Sequence, residues 1–265
     1  HFHNVLCLSK AKGMDINMKY AADFRADARS ALRNKWGLAV LTGLVATLLG
    51  GTGIEGPKFN LDIGNNSVTA SFKFAGTTIY SFGGSSNSDT AAFIIEKAPY
   101  FIWSTLILCL LFLLLGSIIA IGYARFNLAL TDREMPSFGV LFSCFPIWKT
   151  AIISQILQSI YIFLWSLLLV IPGIIATYSY AMTRYILAEH PELTASEAIR
   201  RSKEMMYGHR WRLFCLHFSF IGWTLLCIPT LGIGYLWLVP YTQAAEAAFY
   251  REISGSGKAW QSAAF

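Results

Sequence analysis

Charge is what this sequence has least of. Only 14% of its 265 residues are Asp, Glu, Lys or Arg, against about 25% in soluble domains. That shortfall excludes a disordered chain, a collagen-like chain and an ordinary soluble enzyme. Short catalytic signatures are missing too. There is no GxSxG, HExxH, P-loop or paired-aspartate motif, so the usual nucleophile, zinc and phosphate chemistries have no carrier. Cysteine is sparse, with five residues (Cys7, Cys109, Cys144, Cys215 and Cys227) and no CxxC pair. They read as small apolar residues rather than a disulfide frame or metal site. The net charge of +6 comes without a basic helix or base-stacking module, so no nucleic-acid partner is expected.

Long uncharged runs are abundant. Residues 36–54, 98–124, 150–183 and 213–245 contain no Asp, Glu, Lys or Arg, over 19, 27, 34 and 33 residues. A helix crossing a bilayer needs about 20. The two longest runs each carry a mid-point breaker, Ile171-Pro172-Gly173 and Ile228-Pro229-Thr230-Leu231-Gly232, where Pro removes a donor and Gly permits a turn. Splitting there predicts six spans, near 37–54, 100–123, 150–171, 174–188, 213–229 and 231–250. With both ends inside, the inner segments hold 18 Lys and Arg and the outer ones 3. That split obeys the positive-inside rule, and a four-span arrangement violates it.

The pattern repeats. Lys35-Trp36, Trp148-Lys149 and Arg210-Trp211-Arg212 each place an indole beside a cation at the start of a span. These side chains suit the headgroup region and are expected to be interfacial anchors. Amphipathic helices are predicted over 20–35 and 194–207, the second opening on the Thr194–Glu197 capping box. The linker 137–148 is more apolar. The predicted fold is therefore all-α, a polytopic membrane bundle of repeated units, each an interfacial helix followed by a two-span hairpin. Residues 1–13 show no apolar core or cleavage site and read as a leader ahead of Met14 or Met18, and His1 and His3 are not taken as metal ligands. Residues 14–254 read as one membrane domain and 255–265 as a disordered tail. An outer insertion, 55–97, is rich in Gly, Ser, Thr and Asn and alternates in polarity. It predicts a small β-rich element with a turn at Gly64-Asn65-Asn66 and a flexible stretch near 83–88. Asn65-Asn66-Ser67 also fits a glycosylation sequon.

These runs resemble a known family. The stretches LVIPGIIATYSYAM (169–182), YILAE (185–189), ASEAIRRSK (195–203) and WRLF (211–214) are distinctive. So are FIGW (220–223), LGIGYLWLVPY (231–241), AFY (248–250) and RSALRNKWG (29–37). Together they resemble the domain-of-unknown-function nine-seven-five family of bacterial integral membrane proteins. The resemblance runs from about residue 22 to 251 and is strongest after Leu169. It does not reach the outer insertion, and Glu246 departs from it, standing where a neutral residue is expected. It implies a multi-pass location in the bacterial cell membrane and brings no activity, cofactor or catalytic residues.

The polar residues inside the spans are few. Gln155 and Gln158 lie one turn apart and are expected to bond between helices, with a substrate site as the sharper alternative. His217 is expected to bond a carbonyl, or else to sense pH. Counting from the tyrosine of each repeat, Asn127 and Arg184 fall four residues on and Glu246 five. An Arg184–Glu246 salt bridge with Asn127 as third member is weighed evenly against snorkelling of both charges to the headgroups. No catalytic, cofactor or metal site is expected. The first functional reading is a non-enzymatic scaffold, assembly or envelope-homeostasis component contacting anionic headgroups or a membrane-protein partner. The alternative is a permease or channel for a small molecule or lipid, which a deep polar cavity would favour over a closed apolar bundle.

Overall fold

A computed structural model describes residues 19–52, 58–64, 67–74, 77–85, 88–227, 229–230 and 233–255. The expected leader, Cys7, the two asparagines of the sequon and residues 256–265 lie outside the described residues. The chain is mostly helical: α1 (Ala21–Leu32), α2 (Trp36–Leu48), α3 (Ser88–Thr131), α4 (Trp148–Leu168), α5 (Val170–Tyr180), α6 (Thr183–Glu189), α7 (Ala195–Met205), α8 (Arg210–Phe218), α9 (Ile221–Leu226) and α10 (Tyr235–Ile253). Two helical stretches, Leu106–Thr131 and Phe138–Leu168, are long and apolar enough to cross a membrane.

Between α2 and α3 lies a three-stranded antiparallel sheet, β1 (Lys58–Gly64), β2 (Ser67–Phe74) and β3 (Thr77–Ser85), in the order β1-β2-β3. In its register Gly64 pairs with Ser67 and Phe74 with Thr77. Residues 83–85, expected to be flexible, are the end of β3, and α3 already begins at Ser88 within the expected insertion.

Two expected spans are interrupted. Residues 174–188 divide into α5 and α6, and residues 213–229 into α8 and α9. Hydroxyls compete with the backbone at both breaks. Ser202 donates to the Ser179 carbonyl at 2.9 Å and Thr183 to that of Tyr180 at 2.8 Å, while Ser219 donates to that of Leu216 at 2.7 Å. A carbonyl bonded by a side chain is a weaker acceptor for the next helical turn. The break expected at Ile171-Pro172-Gly173 falls at Leu169 instead, which is extended. Pro172 sits in the first turn of α5, where its missing N–H leaves no helical bond unmade.

The core is built on α10. Residues 243–250 are all buried, because α1, α2 and α3 cover that helix. Phe24 of α1 meets Phe249 edge to face at 5.3 Å, and Tyr185 of α6 stacks on Tyr250 at 5.4 Å. The apolar faces of α1 (Phe24, Ala28, Ala31, Leu32) and α7 (Ala195, Ala198, Ile199) are buried against protein, and their charged faces are turned outward. The linker 137–148 forms two short 3-10 turns. Gly122 of α3 packs so closely on the first that an added Cβ would stand 2.1 Å from the Leu141 carbonyl oxygen.

Candidate functional site

Five expected polar residues come together in one cleft. It holds about 390 Å³ and is walled by the turn after α2, by α3, α4, α5, α6, α8 and α10. Gln155, Gln158, Arg184, His217 and Glu246 all line it. Its far wall is the Gly50-Gly51-Thr52 turn beside Phe112 and Gly116. Gly50 has φ +82 and lies against Phe112, so a side chain there would be both strained and obstructed.

The charged end of the cleft is a triad. Arg184, at the start of α6, donates through Nη2 to Oε2 of Glu246 in the middle of α10. His217 of α8 places Nε2 3.0 Å from Oε1 of the same carboxylate. The Tyr185 hydroxyl lies 3.4 Å from Oε2 and also 3.4 Å from the Gln243 carbonyl oxygen. Tyr185 further carries the Arg184 guanidinium over its ring at 5.1 Å. Both carboxylate oxygens are thus engaged. The α5–α6 break lets Arg184 turn into this position, and Pro240 one and a half turns before Glu246 interrupts the α10 ladder.

The third member differs from expectation. Asn127 is buried but donates to the Tyr123 carbonyl of its own helix at 2.8 Å. A short amide one turn from a helix carbonyl bonds locally before it reaches a neighbour. His217 takes the third place, so its partner is a carboxylate and not a carbonyl. Gln158 likewise donates within its own helix, to the Ser154 carbonyl at 3.1 Å, rather than across to another. The amide oxygens of both glutamines belong to residues lining the cleft.

The tryptophan-cation pairs divide. Trp148 and Trp211 are exposed, with Lys149 over the Trp148 ring at 5.6 Å and Arg210 over Tyr207 at 6.0 Å. Trp36 instead packs on the core beside Tyr241 at 6.4 Å, and Lys35 donates to the Glu134 carbonyl. Arg212 is claimed by protein as well, donating to Glu252 and to the Lys19 carbonyl. It is therefore not a free interfacial anchor.

Sequence reasoning missed a second ionic cluster. Arg251 at the end of α10 forks to Glu189 at the end of α6 and to Asp132 just past α3, and Tyr250 donates to the same Glu189. Burial would lower the pKa of Arg251, but the Glu189 carboxylate beside it raises it above the usual value. The pairs lie 62 and 119 residues apart, so no local spacing could have revealed them. Nearby, burial and the Arg212 guanidinium push His209 below its ordinary pKa. Among the described residues no three His, Cys, Asp or Glu side chains gather as a metal site would require.

No curated protein and no solved structure matches the chain. One family model does, and the residues it covers include Arg184, His217 and Glu246. That match shows residues 167–257 to be similar to the family described as Protein of unknown function (DUF975).

Proposed function

We propose that this chain is a six-span protein of the bacterial cell membrane, with both ends cytoplasmic, and that its cleft is the substrate site of a non-enzymatic permease. The observation that carries the permease reading is the cleft itself. About 390 Å³ is within the range of small-molecule sites, and its wall gathers most of the ionisable residues of the apolar segments. Ionisable groups in such segments mark substrate or ion pathways more often than plain packing. The 18-to-3 charge split supports the topology. Exposed cations on α1 (Arg29, Arg33) and α7 (Arg200, Lys203) fit anionic headgroups on the cytoplasmic leaflet, at about 1 kcal/mol each.

A scaffold remains the competing reading, favoured by the exposed aromatic and aliphatic face of α4, including Phe163, Leu164 and Trp165. Thiol labelling separates the two. In a chain whose native cysteines are replaced, Ser159→Cys on the cleft wall should react with a membrane-impermeant thiol reagent from one side. A scaffold with a closed interior would leave it unlabelled. Topology is read in the same background. A cysteine at Ser85 should label from outside intact cells and one at Lys203 should not. Lys203 is the right probe because neighbouring Ser202 is fully buried.

A further inference from the structure

We infer that the cleft takes an anionic group, a carboxylate or a phosphate, docked on Arg184, with Glu246 as the counter-ion that holds both Arg184 and His217 in place. The inference rests on the permease reading and names its substrate class. Three side chains form the charged end, but they do not face it equally. Arg184 is 26% exposed and His217 34%, whereas Glu246 is 7% exposed. Of the three, the guanidinium and the imidazole are therefore the more open, and the carboxylate contributes little surface. Glu246 directs Oε2 to Arg184 and Oε1 to His217, so both of its oxygens already have partners. Its charge offsets the cost of placing an arginine in an apolar segment. The pairing uses one nitrogen of a guanidinium that carries five donors. A planar fork with unspent donors is suited to a carboxylate or phosphate.

The rest of the wall says what the anion is attached to. Ser117, Ser154 and Thr177 each donate their hydroxyl to a carbonyl of their own helix, at 3.0, 2.8 and 3.0 Å. Gln158 spends an amide hydrogen in the same way. Groups whose donors are engaged have lone pairs left to offer. The wall beyond the triad therefore presents acceptors, and it complements a body carrying hydroxyl or amine donors. A polyol phosphate meets both demands. It could reach the cleft as a soluble compound or as the headgroup of an anionic phospholipid.

The test uses the full chain purified in detergent and four probes. Glycerol 1-phosphate and glycerol are the soluble pair; dihexanoyl phosphatidylglycerol and dihexanoylglycerol are the lipid pair. Binding is read by titration calorimetry. At least one anionic probe should bind tenfold or more tightly than its uncharged partner. Preference confined to the first pair marks a soluble substrate, and preference in the second a headgroup. Arg184→Gln should lose at least tenfold of that affinity. Ala120→Trp, which adds bulk to the cleft wall and leaves the three polar side chains unchanged, should abolish it. Arg200→Gln with Lys203→Gln, on the exposed face of α7, should leave it unchanged. The inference is overturned if neither anionic probe is preferred, or if the preference survives Ala120→Trp. Should Arg184→Gln fail to fold, the Ala120→Trp result decides alone. A labelled Ser159→Cys with no anion preference would overturn the substrate class and leave the permease reading standing; an unlabelled one would overturn both.

Discussion

Glu246 concentrates the energetic stakes at the scale of single residues. Removing its charge would leave Arg184 without a counter-ion, and breaking a buried ion pair costs roughly 3 kcal/mol or more. Glu246→Gln should therefore lower the melting temperature in detergent by several degrees. Arg184→Glu should do the same, and Arg184→Glu with Glu246→Arg should recover part of the loss. Failure of the double exchange to recover would mean that the pair is not what holds α6 to α10. His209 gives a pH signature. Its folded pKa lies below its ordinary value of 6.5, through burial first and Arg212 second. Below about pH 6.5 the unfolded chain binds a proton that the folded chain refuses, so stability falls as pH drops and is unaffected above that range. Melting temperatures at pH 5.5 and 7.5 should differ less for His209→Gln than for the parent. The meeting of Arg184 with Glu246 could be anticipated because the repeat aligns both on the tyrosine of their unit. The partner of His217 could not, because it depends on how α8 leans on α10 after a break that hydroxyl competition creates.

Local signals decide some elements, and long-range packing decides the rest. The Thr194–Glu197 capping box forms, with the Thr194 backbone N–H donating to Oε2 of Glu197 at 3.1 Å and the Glu197 N–H to Oγ1 of Thr194 at 3.4 Å. The Thr194 hydroxyl, which donates to the same carboxylate oxygen at 2.8 Å, and then the Thr194 N–H hold Glu197 below the usual carboxylate range. Thr194→Ala should cost about 1 kcal/mol, measurable as a lower denaturation midpoint with unchanged slope. Gly122→Ala should be far worse, because its Cβ would meet backbone rather than a movable side chain. Loss of the monodisperse peak in size-exclusion chromatography is the expected outcome, and a normal peak would show that α3 and the turn at Phe138–Phe142 can separate. The capping box is visible in sequence because its partners are three residues apart. The Gly122 contact is invisible there, since nothing in 122 alone announces a carbonyl 19 residues on.

For the whole molecule, composition speaks about the solvent of the fold and little about its interior. Uncharged runs announce apolar segments because each residue contributes independently to transfer free energy. The cleft has no such additive signature. Its walls come from residues as far apart as Gly50 and Glu246, and only their convergence gives it volume. The amphipathic helices show the same limit. Their apolar stripes signal burial, but a stripe does not say whether lipid or protein covers it, and here protein does.

The fork of Arg251 gives this architecture a clasp. By grasping Glu189 and Asp132 at once, it ties the trailing ends of α3, α6 and α10 into one knot. A rocking that widened the cleft by parting these helix ends would have to break that knot. Loosening the knot, as Asp132→Asn with Glu189→Gln would, removes that restraint. The expected result is faster thiol labelling at Ser159→Cys without any change in the residues that line the cleft.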